Sequence, residues 1–166
     1  QAMSGAALPS GSYPGGLDRA RWHIRHGFEI FERHFGFRPA GCWPAEGSVC
    51  EASLALLAEA GVEWVATGEG VLAHSLHVAG HAPHALKEAW LYRTYRTPRG
   101  PVCLFRDDDL SDRIGFRYAT WHADDAVADL VHALEHSAGC CHDHPDRVVS
   151  IVLDGENAWE HYPENG

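Results

Sequence analysis

No apolar run in this sequence approaches the roughly 20 residues that a membrane span requires. The opening residues, Gln1-Ala2-Met3-Ser4-Gly5, bring neither positive charge nor an apolar stretch, so they do not read as a secretory signal. Basic residues are scarce: 13 Lys and Arg stand against 23 Asp and Glu, a net charge of −10. A basic patch is the usual footprint of a nucleic-acid binder. The expectation is therefore no membrane and no nucleic-acid partner, with a neutral, polyhydroxylated ligand the better fit. The chain also lacks a Cys-x-x-Cys pair and any internal repeat. Its five cysteines, an odd number without a secretion signal, read as reduced thiols of a cytoplasmic protein.

Apolar residues, at 45%, are frequent enough to build a core. Residues 1–16, rich in Gly, Ser and Pro, read as a flexible N-terminal arm, and residues 17–166 as one folded body. Leu17, Ile24, Phe28, Phe31 and Phe35 recur at helical spacing, and Gly36 is placed to stop that helix. A strand over 38–43 leads into the loop Pro44-Ala45-Glu46-Gly47. Ser48 with Glu51 makes a capping-box pattern, so a second helix starts near Val49 and ends at Gly61. The apolar stretch 62–67 reads as a strand running into a Gly68-Glu69-Gly70 loop, with a helix and a His-rich loop over 71–89. Residues 90–97 read as extended, and 102–105 as a buried strand ending on Arg106-Asp107-Asp108-Asp109. A helix over 123–136 turns Ala126, Val127, Leu130, Val131 and Leu134 inward. The apolar run 148–153 carries the pattern of a central parallel strand, with Asp154-Gly155-Glu156-Asn157 at its end.

Strand–helix alternation of this kind implies a parallel α/β sheet or barrel, whose chemistry gathers at the carboxyl ends of the strands. Those ends deliver Glu46, Glu69, Arg106 with Asp107, and Asp154 with Glu156. Two carboxylates flanking a glycosidic bond are the usual apparatus for cleaving it, one ionised and one protonated. Glu46, just before a helix N-terminus, is favoured in its charged form and suits a nucleophile. Asp154, at the end of an apolar strand, is favoured by burial in its protonated form and suits an acid/base. Trp43, Trp121 and Trp159 stand near these ends, where indoles stack on sugar rings. Any single Trp is nevertheless more often a core residue.

Three stretches carry a resemblance. Gly41-Cys42-Trp43-Pro44-Ala45-Glu46-Gly47-Ser48-Val49 resembles the third conserved region of glycoside hydrolase family 57, and Leu153-Asp154-Gly155-Glu156-Asn157-Ala158-Trp159-Glu160 its fourth. Between them, Phe105-Arg106-Asp107 and Leu110-Ser111-Asp112-Arg113-Ile114-Gly115-Phe116 are similar to a stretch of its amylase-like bacterial members. The resemblance implies a partial (β/α)7-type barrel with parallel strands and flanking helices, and retaining hydrolysis or transglycosylation of α-glucans without a cofactor or catalytic metal. It places the nucleophile on Glu46 and the acid/base on Asp154. It makes Arg106 and Asp107 substrate-binding or supporting groups, while position at the strand ends makes Trp43, Glu69, Trp121, Glu156 and Trp159 the other expected substrate contacts.

The chain also departs from that pattern. Where many relatives read Thr-Asp-Glu-Gly, it has Thr67-Gly68-Glu69-Gly70 and so lacks one acid. The family's first, second and fifth regions have no counterpart within these residues. Weak or no activity of the isolated chain is therefore the expectation, and the exposed edges of a partial barrel favour a homo-oligomer. The competing class is a non-catalytic glycan-binding or assembly module derived from a hydrolase barrel. A metal-dependent deacetylase would need an Asp and two His at strand ends, and no His directly follows a clear one. His74, His77, His81 and His84, and the run Cys140-Cys141-His142-Asp143-His144, are rich in metal ligands. Gly80 and Pro83 break the helix that would align the four His, so no metal site is expected.

Overall fold

The computed structural model describes residues 13–81, 86–98, 100–141, 145–156 and 158–165. Most of the expected arm, residues 1–12, lies outside them, as do His84, the segment 142–144 and Asn157. The chain is α/β, with a four-stranded, mostly parallel open sheet and flanking helices. It forms two compact units, Gln1–Thr67 with Tyr95–Leu104 and Gly68–Thr94 with Phe105–Gly166. No described helix is long and apolar enough to cross a membrane.

The first unit opens with α1, Gly16–Phe35, which stops where Gly36 takes the left-handed conformation at φ 78° and its N–H returns to the Glu32 carbonyl. Its half-buried face is Ile24, Phe28 and Phe31, whereas Leu17 and Phe35 at its ends are exposed. An ion pair from Arg21 to Glu59, 2.9 Å, ties it to α2, Glu51–Glu59. The cap of α2 corrects the sequence reading. Cys50, not Ser48, is the N-cap: its sulfur accepts from the Ser53 N–H, and Ser53 Oγ accepts from the Cys50 N–H. A thiol can fill the place usually held by a hydroxyl.

Leu54, Leu56 and Leu57 of α2 are buried, and the core also holds Val62, Val65 and Ala66. Strand β1, Gly41–Cys42, is shorter than the six residues expected; it pairs parallel with β2, Trp64–Gly68. Gly41 is required there, because a Cβ would overlap the indole of Trp64 across the pair. Three consecutive buried residues, Val65, Ala66 and Thr67, mark β2 as an interior strand. The sheet order is β1-β2-β4-β3, with β3, Tyr95–Arg96, antiparallel to β4, Val102–Arg106.

In the second unit, Gly68-Glu69-Gly70 is not a loop: α3, Glu69–Val78, starts on Glu69. The expected extended segment 90–97 is partly helical, since α4, Glu88–Leu91, reaches into it. Asp107 caps α5, Asp108–Gly115, and a long helix α6, Ala123–Cys140, follows. Val127 and Val131 are 62% and 47% exposed, so they do not face inward. The half-buried stripe of α6 keeps Ala126, Leu130 and Leu134 of the expected set and adds Asp129, Ala133 and buried Ser137.

The run 148–153 is also not the buried central strand expected. It makes one parallel bridge, Arg106 with Ser150, and Val148 and Ile151 are exposed. Single hydrogen bonds hold it in place of a ladder: Asp107 N–H to the Ser150 carbonyl, 2.9 Å, Val148 N–H to the Tyr92 carbonyl, 3.0 Å, and Val152 N–H to Ser111 Oγ, 3.2 Å.

Candidate active site

In the first unit the candidate residues sit on the turn that follows β1. Ala45–Gly47 form one 3-10 turn, closed by the Gly47 N–H on the Pro44 carbonyl, 2.8 Å. Within it Glu46 takes φ 54°, ψ 24°, and Gly47 follows at φ 64°. Left-handed backbone costs a residue with a Cβ about 1–2 kcal/mol and persists only where its surroundings enforce it. Here the buried Thr67 hydroxyl donates to the Gly47 carbonyl and pins the turn to β2. The Glu46 side chain is exposed, and Trp43 before it is 38% exposed. Helix α2 begins at Glu51, so Glu46 is not the residue just before a helix N-terminus, and the dipole argument for its charge loses its premise.

In the second unit the strand-end acids are drawn into a knot. The buried Asp107 carboxylate accepts from the Leu110 N–H at 2.9 Å, Lys87 Nζ at 3.0 Å and the Tyr92 hydroxyl at 2.6 Å. Tyr92 also meets Ser137 Oγ, 3.1 Å, on α6. Glu69 accepts from the Asp108 N–H, 3.1 Å, and lies 3.6 Å from Lys87. Burial works against the charge on Lys87, but hydrogen bonding and attraction to Asp107 and Glu69 win, and hold it above the ordinary lysine value. Burial, then the hydrogen bond to Asp107, push the Tyr92 phenol far up, so it stays protonated and donates.

Lys87 and Tyr92 line a cavity of about 370 Å³, whose other walls include Asp109, Arg113, His132 and His136. Lys87 and Tyr92 escaped the sequence reading because neither lies in a motif. The only signal was an acid, Asp107, at a buried position that needed partners.

Arg106 is occupied on three sides: Asp108 at 2.5 Å, Asp112 at 2.6 Å, and the Val152 carbonyl at 3.0 Å from Nε. It thereby anchors the segment that ends two residues later at Asp154. Asp154 and Glu156 are exposed, so the burial expected to keep Asp154 protonated is absent. Trp121 and Trp159 are 43% and 47% exposed, each resting on a tyrosine ring, Tyr118 and Tyr162, at 5.4 Å. All three candidate tryptophans thus present ring surface to solvent instead of filling a core.

All five cysteines are free thiols. His74, His77 and His81 are exposed, and among the described residues none of them joins a group of three potential metal ligands.

The family model described as Glycosyl hydrolase family 57 matches residues 8–166. No curated protein and no solved structure matches the chain.

Proposed function

The chain belongs to glycosyl hydrolase family 57, and from that premise we propose that it is a retaining glycoside hydrolase or transglycosylase of α-glucans, with Glu46 as nucleophile and Asp154 as acid/base. Membership makes a glycosidic bond the scissile bond and a carbohydrate the substrate. The observation that carries the assignment is the backbone of Glu46. It is a glutamate held left-handed at φ 54° on an exposed turn, after a parallel strand, with its neighbour pinned by a buried threonine. Glu164 shares this backbone at φ 57°, so strain alone does not single out Glu46; the pinned turn at a strand end, within a chain of this family, is what supports it as a reacting position.

The Glu46 carboxylate attacks the anomeric carbon as the bond to the leaving oxygen breaks, and Asp154 delivers its proton to that oxygen. Water, or an acceptor hydroxyl of a second glucan, then displaces the sugar from Glu46 while Asp154, now a base, takes the proton of that incoming hydroxyl. The exposed faces of Trp43, Trp121 and Trp159 stack on glucose rings. Glu156 offers an exposed carboxylate to sugar hydroxyls, Arg106 anchors the segment before it through the Val152 carbonyl, and Glu69 and Asp107 brace the start of α5. Strand–helix alternation and the parallel pairing of β1 with β2 support an incomplete (β/α)7-type barrel as the surrounding fold.

An activated fluoro-α-glucoside, which accumulates the glycosyl-enzyme, tests the roles directly. Mass spectrometry is expected to find one sugar on the peptide containing Glu46, and none after Glu46→Gln. The isolated chain is expected to release reducing sugar from maltooligosaccharide weakly or not at all, and Asp154→Asn is expected to cut any such release by at least about 100-fold. Labelling of a different carboxylate refutes the assignment. A second reading, glycan binding without turnover, draws on the same exposed tryptophans. Maltooligosaccharide binding with neither labelling nor new reducing ends favours it.

A further inference from the structure

We propose that Glu88, His136 and Cys140 form a zinc-binding site that joins α4 to α6, independent of the glycosidase reading. One ligand atom from each, a carboxylate oxygen, an imidazole nitrogen and a thiol sulfur, lies within 4.8 Å of the other two. His136 and Cys140 stand four residues apart on α6, so both project from one face of the helix. Their facing atoms, Nε2 and Sγ, are 3.7 Å apart. Bonds of about 2.1 Å to nitrogen and 2.3 Å to sulfur, at a tetrahedral angle, put those two ligand atoms about 3.6 Å apart. The pair is therefore spaced as a zinc ion requires.

Glu88 comes from a different element, the first residue of the four-residue α4, and its backbone carbonyl already accepts from the buried Cys141 thiol at 3.4 Å. That contact holds the third ligand beside the other two. Cys140 is the last residue of α6, an 18-residue helix whose negative C-terminal end favours a cation. A set of one thiolate, one imidazole and one carboxylate suits Zn²⁺ over Mg²⁺ or Ca²⁺, which select oxygen. Three protein ligands leave the fourth tetrahedral position to water. Binding displaces the Cys140 thiol proton to solvent.

The test uses the tag-free chain stripped with chelator and titrated with Co²⁺, then Zn²⁺. Uptake of about one Co²⁺ per chain is expected, with near-ultraviolet thiolate-to-cobalt absorption that Zn²⁺ abolishes on displacing it. Cys140→Ser removes that absorption, and both Cys140→Ser and His136→Ala weaken zinc binding by more than about 100-fold, beyond what outer-shell groups carry. Glu88→Gln weakens it less. His74→Ala and Cys50→Ser leave it unchanged. Zinc raises the melting temperature of the parent chain and not of Cys140→Ser. The proposal is overturned if the parent takes up no cobalt with thiolate absorption, or if zinc affinity survives Cys140→Ser and His136→Ala. The cobalt spectrum of the parent decides the matter even where a variant fails to fold.

Discussion

At the scale of single residues, Glu46 and Thr67 show how the proposed nucleophile is kept in an unfavourable conformation. Glu46 sits at φ 54°, and the Thr67 hydroxyl, fully buried, donates to the carbonyl of the next residue. A glycine at position 46 adopts that backbone freely. Relief of about 1–2 kcal/mol of left-handed strain exceeds the roughly 0.5–1 kcal/mol that glycine forfeits through its looser unfolded chain. Glu46→Gly is therefore expected to raise stability by up to about 1 kcal/mol while removing the proposed nucleophile. Glu46→Gln keeps the Cβ and hence the strain, and leaves stability near that of the parent. Urea unfolding followed by tryptophan fluorescence compares the three, and a Glu46→Gly midpoint at or below the parent's refutes the claim of strain. The motif around Glu46 was legible in the sequence. Its backbone was not, because left-handed geometry at a non-glycine residue is imposed by the partner across the turn and not by local preference.

At the scale of elements, α5 and α6 are coupled through charge as much as through apolar contact. Arg113 of α5 bonds Asp109 at 2.8 Å and Asp129 of α6 at 2.6 Å, and the Tyr118 hydroxyl adds a bond to Asp129 at 2.8 Å. Burial pulls Asp109 upward, but the bonds from Arg113 and Arg117 outweigh it and leave it below the ordinary aspartate value of 3.8. Asp129 is likewise held low, chiefly by Tyr118, against burial and with Arg113 assisting. A carboxylate depressed on folding contributes stability above its unfolded value, and that contribution is lost as pH falls through the folded value. Stability is thus expected to decline as pH drops from about 4, and Arg113→Met is expected to make that decline shallower. Urea midpoints measured across this range check it, and an acid limb equally steep in the variant overturns it. The same pairing explains why α6 was misread. The expected apolar stripe counted Val127 and Val131 as core, but the half-buried side of α6 carries Asp129, bonded to Arg113 and Tyr118, and Ser137, bonded to Tyr92 after α4. Binary patterning finds a helix through its period; it finds the buried face only when that face is apolar. The run 148–153 failed in the opposite sense: its residues are apolar, but α5 and Arg106 hold it by single hydrogen bonds where a sheet neighbour was expected. Strands β2 and β4 were legible because each is a short apolar run that ends on glycine or charged residues.

At the scale of the whole molecule, charge decides which glycans are admissible. The chain carries a net charge of −10, from 23 acids against 13 bases, and its proposed contacts are indole faces and carboxylates. Stacking on a neutral sugar releases no counterions, unlike the binding of a polyanion by lysine and arginine. The affinity for maltooligosaccharide is therefore expected to change by less than about twofold between about 50 and about 500 mM salt, where surface charges become screened. An anionic glucan of equal length meets like charge, which screening only relieves, so any binding it shows strengthens as salt is added. Calorimetric titration of both ligands across that range separates the two behaviours. A neutral oligosaccharide whose affinity falls steeply with salt points to a cationic subsite instead. Two bases at the strand ends of the second unit are already committed, Arg106 to Asp108 and Asp112 and Lys87 to Asp107, so the proposed sugar recognition rests on stacking and contacts to hydroxyls.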